Sequence, residues 1–446
     1  MNLARLNPRV LVTRHFQSLL SLAIRGLSVF VGFAVTLLIG RMFGPEANGH
    51  YALITQTGMF LSVVAVGGID LAVTRTFSAA TARRVPIERR SLLRITGYSM
   101  GFAALLMGLL LLAGEPLIRL MFNGEVPEGA ILVLIIVMIS RALTRLLGAI
   151  LRSQKDYAWG QSVEVLLIPT LVLTAMALGF RRDVEQILWI TAFAGLSVGV
   201  GAFLASLRHT SNDPEALHLP MKDTLKIAVP LWGVAVFLNI SDWYGLATTS
   251  AVLGVHEAGL YRVAAQVATA LSIITLGLSS VFSPQFGAAA STGDLAKVAR
   301  LAGTATRLSV VLALPVVILI FVFARPIVLL FGPEFAPAET ILRIVAVGQA
   351  AFTVTGPSGL VLAMTGHQRT NLTITLCSTV ALLVLAPLSA HFGGLIGISA
   401  VMALVLVARN IASLVAAARL TGIHVMRGRY RPPSADAGVS TPTPPF

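Results

Sequence analysis

Long apolar runs follow one another along almost the whole chain, and they constrain its fold more than any other feature. Hydrophobic residues make up 56% of the 446 residues and charged residues only 12%. Soluble domains carry about 25% charged residues, roughly twice the fraction found here. A helix of roughly 20 mainly apolar residues crosses a ~30 Å hydrocarbon layer. The sequence therefore predicts an all-α integral membrane protein.

The runs predict about twelve transmembrane helices, separated by charges and helix breakers. Arg5, Arg9 and Arg14 precede the first run, which is far longer than the apolar core of a secretory signal, so we expect it to remain as a spanning helix. The predicted helices cover residues 16–42, 51–79, 92–113, 129–151, 157–180, 185–207, 224–253, 258–286, 303–324, 338–363, 370–390 and 394–420.

The net charge of +14 comes from basic clusters between the apolar runs, so it indicates membrane topology and no nucleic-acid partner. With twelve helices and a cytoplasmic N-terminus, 22 Lys and Arg residues fall in cytoplasmic segments or at the helix ends beside them, and seven in or beside external segments. This bias satisfies the positive-inside rule. We therefore predict a multi-pass protein with both termini in the cytoplasm.

The chain also repeats itself. The spacing Gly-x4-Gly-x-Tyr occurs after the first predicted helix and again 210 residues later, at Gly44, Gly49, Tyr51 and at Gly254, Gly259, Tyr261. Pro116 and Pro326 stand at the same offset. Because six helices per copy is an even number, both copies enter the membrane from the same side and the repeats are parallel.

The repeat predicts two pseudo-symmetric six-helix bundles around a central cavity, where polar groups can be hidden from lipid. The predicted parts are an N-terminal six-helix lobe (1–207), a cytoplasmic linker (208–222), a C-terminal six-helix lobe (223–421) and a disordered cytoplasmic tail (422–446). The end of the tail is rich in proline and small polar residues, which cannot form a core.

Two segments, residues 41–53 and 68–75, resemble the opening of bacterial polysaccharide-export flippases, the O-antigen flippase group. This group belongs to the multidrug/oligosaccharidyl-lipid/polysaccharide exporter superfamily. Several features of the second half match as well: Pro230 and Asp242 in one helix, the Gly259-Leu-Tyr261 triplet, Ser283-Pro284-Gln285 and residues 324–332. The resemblance covers roughly residues 16–421.

The resemblance implies a cavity that opens alternately to either side of the bacterial inner membrane, and an undecaprenyl-diphosphate-linked oligosaccharide as substrate. It also implies membrane lipid and a polysaccharide polymerase machinery as partners. A multidrug/cation antiporter is one alternative, although that branch often has a carboxylate in helix 1, where this chain has Arg25. A lipid II flippase is another, although its basic residues in helix 1 correspond here to Val29 and Val35.

Charged residues inside the spans are the candidate substrate-binding residues, because each costs ~2.5–3.5 kcal/mol at a helix centre and needs a partner or water. Arg25 and Asp70 fall at similar depths in the cytoplasmic half, so an ion pair between them is plausible. Arg25 either meets the diphosphate or extends to the inner interface. Asp242, near the midplane, either binds a cation, a proton or a sugar hydroxyl, or caps a helix broken after Pro230.

Arg141 and Arg145 share a helix face at i,i+4 near the inner end of the fourth helix. Arg145 is expected to anchor the helix at the interface, and Arg141, one turn deeper, to face the cavity. Arg409 in the last helix is its expected counterpart in the second lobe, and Glu164 is expected to neutralise one of these arginines.

The sequence contains no GxSxG or GxxxxGK[ST] motif and only one cysteine, Cys377, so we expect no catalytic residues, no metal and no cofactor. Transport would then be driven by an H⁺ or Na⁺ gradient, by the membrane potential or by consumption of the product. A membrane polymerase or ligase is an alternative of a different class. Such enzymes usually carry a large external loop, whereas the longest predicted external stretch here is about fifteen residues.

Overall fold

The computed structural model describes residues 8–124, 127–208, 210–211, 216–217 and 219–432, with the backbone alone at 8–19, 22, 242, 273, 276, 280 and 284. Up to Gly259 the elements are helices α1 (Pro8–Val66) and α2 (Ile69–Ala82), strand β1 (Ile87–Glu88), helices α3 (Arg89–Met121), α4 (Ala130–Ser153) and α5 (Tyr157–Gln161), a π-helical turn (Ser162–Leu166), helices α6 (Leu167–Ala177) and α7 (Val184–Leu207), strand β2 (Thr210–Ser211) and helix α8 (Met221–Leu253). The remaining elements are α9 (Val255–Ser291), α10 (Leu295–Leu329), a 3-10 turn (Pro333–Phe335), α11 (Ala338–Thr355), α12 (Ser358–Met364), α13 (Gln368–Thr421), β3 (Ile423–His424) and β4 (Arg429–Tyr430).

Nine helices in the described part of the chain are long and apolar enough to cross a membrane, and the pair α11–α12, bent by 43°, makes a tenth. Two of the nine, α1 and α13, are each interrupted by a glycine with non-helical backbone angles, Gly44 (φ 82°) and Gly394 (φ 56°). These two breaks fall at predicted boundaries between spans, and they bring the number of apolar segments to twelve. The predicted all-α membrane fold is confirmed.

Four predicted helices are interrupted, one of them near its end, where Phe323 in α10 has non-helical backbone angles (φ −105°, ψ 19°). The helix predicted at 51–79 breaks at Gly67 and Gly68, which both have positive φ (63° and 73°), a conformation that favours glycine. The helix at 157–180 contains the π-helical turn, and the helix at 338–363 breaks at Gly356–Pro357. Sequence periodicity did not reveal these interruptions, because the apolar residues continue through each of them.

The chain forms two compact units, Met1–Gly259 and Leu260–Phe446. Helix α8 belongs to the first unit, where two of its tryptophans bind α1: Trp232 Nε1 donates to the Val64 carbonyl (3.2 Å) and Trp243 Nε1 to Thr57 Oγ1 (2.9 Å). The hydrogen bond from Trp232 thus gives the Val64 carbonyl a donor close to the break at Gly67. Because of this packing, the compact units do not coincide with the two sequence repeats.

Inside the first unit, the two copies of the Gly-x4-Gly-x-Tyr motif pack against each other reciprocally. A Cβ atom at Gly49 would overlap the carbonyl oxygen of Val255, and a Cβ atom at Gly259 would overlap the carbonyl oxygen of Pro45. Val255 follows Pro45 by 210 residues, as Gly259 follows Gly49. The contact is therefore self-complementary, as in a two-fold interface. It explains why both copies keep glycine at this position.

The prediction of a disordered tail was wrong for residues 422–432. Strands β3 and β4 form an antiparallel hairpin, and Ile423 and Val425 are fully buried in the core of the second unit. Residues 433–446 lie outside the described residues. Of the predicted linker, the structure describes 208, 210–211, 216–217 and 219–222, and Thr210–Ser211 pair in parallel with Ile87–Glu88.

Candidate functional site

Helix α4 carries three arginines on one face. It packs against α1, α2, α3 and α7, and much of its surface is buried. Arg141, Arg145 and Arg152 are spaced i, i+4 and i+11, which at about 100° per residue places them within about 40° of one another. They extend over about 16 Å of the helix axis. We call this the arginine face of α4.

Arg145, in the middle of the arginine face, is paired with a buried carboxylate. Its Nε donates to Asp70 Oδ2 at 2.7 Å, and Asp70 is only 6% exposed. Asp70 lies in the first turn of α2, directly after the break at Gly68, where a Cβ atom would overlap the Ala228 carbonyl of α8. The close packing at Gly68 thus fixes the break that positions Asp70.

This ion pair corrects two expectations. The proposed partner of Asp70 was Arg25, and that pairing was wrong: Arg25 is exposed on α1, and the carboxylate binds Arg145 instead. Arg145 was expected to be an interface anchor, but three quarters of its side chain is buried in the pair. Asp70 is therefore engaged within the protein, and its role in substrate binding stays a prediction.

Arg152, at the inner end of the arginine face in the predicted topology, is paired with Glu164. Helices α4 and α5 approach closely at Gly148 and Gly160, where a Cβ atom on either would overlap the carbonyl region of the other. This approach brings Arg152 to Glu164 and to the Gly160 carbonyl (3.4 Å). Glu164 thus neutralises an arginine, although not one of those expected.

Glu164 lies within the π-helical turn Ser162–Leu166. Single π-turns inside α-helices are rare and occur frequently at functional sites. Beside it, Gln161 is 3% exposed: its Oε1 accepts from Ser21 Oγ (3.4 Å), and its Nε2 has no hydrogen-bond partner among the described residues. The π-helical turn and the residue before it therefore place an arginine-paired acid and, among the described residues, an unused amide donor in the first unit.

Arg141, at the other end of the arginine face, lies near the middle of α4 and is partly buried. Tyr51 and Glu164 interact with it electrostatically, and the Tyr51 hydroxyl lies 3.4 Å from Thr191 Oγ1. In the described part of the chain, no carboxylate forms an ion pair with its guanidinium. Among the described residues, Arg141 is therefore a mid-helix cation without a direct counter-ion, whereas Arg145 and Arg152 each have one.

The arrangement suits an anionic ligand. Three guanidinium groups face two carboxylates, which leaves one net positive charge, and the guanidinium group matches phosphate geometry with paired N–H donors. The charge belongs to one copy of the repeat only, because the corresponding stretch of the second copy, residues 351–362, contains no charged residue. Packing of the shared fold therefore does not require these charges.

The other candidate residues belong to helices other than α4, and one of them is only partly described. Asp242 lies in α8, but its side chain is outside the described residues. Arg409 is partly buried in α13 of the second unit, next to Asn410, whose Nδ2 donates to the Leu406 carbonyl at 2.7 Å. Sequence reasoning missed Arg152, although its spacing of seven residues from Arg145 already placed it on the same face.

Two family models match the chain. A family model described as polysaccharide biosynthesis protein matches residues 17–289, and the MatE model matches residues 234–388. No curated protein sequence matches the chain.

Solved structures with a similar fold are distant in sequence. A multidrug resistance MATE family transporter of the MOP superfamily, in an inward-facing conformation, is 16% identical over 89% of this chain and 96% of that chain, with a TM-score of 0.69. The lipid II flippase MurJ is 14% identical over 89% of this chain and 87% of that chain, with a TM-score of 0.66. A point mutant of the Vibrio cholerae MATE transporter VcmN is 17% identical over 90% of this chain and 97% of that chain, with a TM-score of 0.61.

Proposed function

The chain belongs to the polysaccharide biosynthesis protein family, as its motifs predicted, and from that premise we propose that it flips an undecaprenyl-diphosphate-linked oligosaccharide across the bacterial inner membrane. The single observation that carries the proposal is Arg141, a mid-helix cation without an ion-pair partner among the described residues. Translocation proceeds by alternating access, with both termini in the cytoplasm.

The physical argument starts from the cost of Arg141. An arginine at the centre of a spanning helix costs ~2.5–3.5 kcal/mol on the insertion scale. Such a charge is retained where it meets water or a ligand of opposite charge. A diphosphate crossing the membrane needs cationic donors along its route, and Arg141 supplies one. Arg145 and Arg152 lie along the same helix face, each paired with a carboxylate that a second anion would have to displace.

The protein is proposed to be a transporter and no enzyme, with membrane lipid and a polysaccharide polymerase machinery as partners. We propose that an H⁺ or Na⁺ gradient, or the membrane potential, drives the cycle, with Asp242 as the coupling acid. Asparagine preserves the shape of Asp242 but cannot ionise. Asp242→Asn should therefore abolish any gradient dependence of flipping in proteoliposomes while leaving detergent stability unchanged. Equal gradient dependence in both proteins would leave Asp242 as a structural acid.

Two alternatives come from the same fold. The MatE match over residues 234–388 favours a multidrug/cation antiporter, and the likeness to the lipid II flippase favours lipid II as cargo. Arg141 speaks against the first, because a guanidinium repels a cationic drug. The two alternatives differ from the proposed function, and from each other, in the molecule that is transported. A single strain lacking this protein can therefore distinguish the three functions.

The experiment compares surface glycan, drug susceptibility and growth in that strain, complemented with wild type, Arg141→Gln or Arg119→Gln. Arg119 is a control because it sits in an exposed i,i+4 pair with Glu115. We expect Arg141→Gln to lose glycan export at normal membrane abundance and Arg119→Gln to retain it. Loss of drug resistance with intact glycan would support the antiporter, and lysis would support a lipid II flippase.

A further inference from the structure

The second unit is strongly basic, and this charge is independent of the arginine face of α4. Residues 260–446 contain twelve Lys and Arg but only four Asp and Glu. No acidic residue occurs between Glu339 and Asp436. A topology signal requires only that cations lie on one side of the membrane, and it does not require them to lie close together.

Three of these cations lie at the start of α10, which begins eight residues before the helix predicted at 303–324. Asp294 caps the helix, with its Oδ1 accepting from the Lys297 amide at 2.8 Å. Lys297, Arg300 and Arg307 are all exposed. The carboxylate of Asp294 is therefore already engaged with the backbone of the helix that carries these cations.

Three further cations are carried by the C-terminal hairpin. Its turn docks on α10 at Gly303, where a Cβ atom would overlap Gly428, and Gly428 itself adopts a left-handed conformation (φ 64°). Ile423 in β3 and Val425 in the turn are fully buried, which holds the hairpin in place. The hairpin leaves its arginines exposed: Arg427, Arg429 and Arg431.

The docking brings the two groups together. Arg300 and Arg307 lie three residues before and four residues after Gly303, on the same side of α10, so they flank the docked turn. Arg427 and Arg429 are the neighbours of Gly428 in that turn. None of these side chains forms an ion pair with another described residue. We call the six residues Lys297, Arg300, Arg307, Arg427, Arg429 and Arg431 the basic platform.

We propose that the basic platform binds the anionic headgroups of membrane phospholipids. The helix itself points to lipid and not to a soluble anion. Directly after Arg307, the apolar side chains of α10 become exposed: Leu308, Val311 and Leu312 are 41%, 66% and 51% accessible. Exposed apolar residues of a spanning helix contact acyl chains, so cations at their end lie at headgroup level. A lipid with two phosphates, such as cardiolipin, would contact both the helix and the hairpin.

The test measures lipid binding to the full-length protein in a neutral detergent by native mass spectrometry, with added cardiolipin, phosphatidylglycerol or phosphatidylcholine. Each basic residue near a membrane surface is worth about 1 kcal/mol, which is about five-fold in affinity. The triple variant Arg427→Gln/Arg429→Gln/Arg431→Gln should therefore bind cardiolipin about 100-fold more weakly than wild type. Its binding of phosphatidylcholine should not change.

A matched control removes three exposed arginines elsewhere: Arg181→Gln/Arg182→Gln/Arg325→Gln. We expect this variant to bind cardiolipin like wild type. In case the hairpin variant undocks, Lys297→Gln/Arg300→Gln/Arg307→Gln changes the helix side alone and should show a similar loss. Equal cardiolipin affinity in wild type and both platform variants would overturn the proposal, and so would an equal loss in the control. Full competition by millimolar inorganic phosphate would also overturn it, because the site would then recognise a soluble anion.

Discussion

Asp70 and Arg145, which are 75 residues apart in the chain, form a buried ion pair with 2.7 Å between Oδ2 and Nε. The pair joins α2 to α4 at the point where the chain has just passed the Gly67–Gly68 break. A helix interruption exposes backbone groups, and inside a membrane such an interruption must be fixed by its neighbours. The Asp70–Arg145 ion pair holds the chain just after this interruption, and the hydrogen bond from Trp232 of α8 to the Val64 carbonyl holds it just before.

The first prediction concerns this pair. Asp70→Asn leaves Arg145 without its counter-ion, and removing one partner of a buried pair costs about 3 kcal/mol. We expect a clear fall in the midpoint of thermal unfolding of the purified protein. Asp70→Asn/Arg145→Gln removes both charges and should be less destabilised than the sum of the single variants. An unchanged midpoint for Asp70→Asn would show that the pair contributes nothing.

The second prediction concerns the reciprocal glycine contact. Alanine at Gly49 or Gly259 would place a methyl group against a backbone carbonyl, and such overpacking typically costs about 1–3 kcal/mol. We expect either variant to lower thermal stability in detergent. Gly32→Ala is the control, because a Cβ atom there meets nothing within 4 Å. Stability of Gly49→Ala equal to that of Gly32→Ala would refute the close contact.

The third prediction concerns the C-terminal hairpin. Ile423→Ala removes a fully buried side chain from the core of the second unit and should cost about 2–5 kcal/mol. Met426→Ala, at an exposed position of the same hairpin, should have little effect. Thermal unfolding together with limited proteolysis near residue 421 measures both. If the two variants behave alike, the hairpin is not part of the core.

Sequence reasoning predicted the large features because they depend on local, additive properties. Apolar runs of sufficient length specify spanning helices, and the repeat at an offset of 210 marks equivalent junctions at Gly44 and Gly254. Both glycines adopt positive φ (82° and 108°) in the structure. These properties need no knowledge of tertiary contacts, which is why twelve segments could be placed.

The features that sequence reasoning missed depend on contacts between distant segments. Depth along a helix placed Asp70 near Arg25, but depth gives no information about which face of each helix meets the other. The hairpin at 422–432 was missed because its composition is polar overall, whereas only Ile423 and Val425 enter the core. The π-helical turn has no signature in the apolar pattern, since Glu164 lies between apolar neighbours.

The most direct test of the central claim is flipping by purified protein in proteoliposomes, with an undecaprenyl-diphosphate-linked oligosaccharide as cargo and the same oligosaccharide on a neutral lipid for comparison. Wild type should flip the diphosphate form preferentially. Arg141→Gln should reduce its rate at least about ten-fold, the effect of losing one charged interaction of about 1.4 kcal/mol, and Arg119→Gln should not. Equal rates for wild type and Arg141→Gln, at equal amounts of folded protein, would contradict the account.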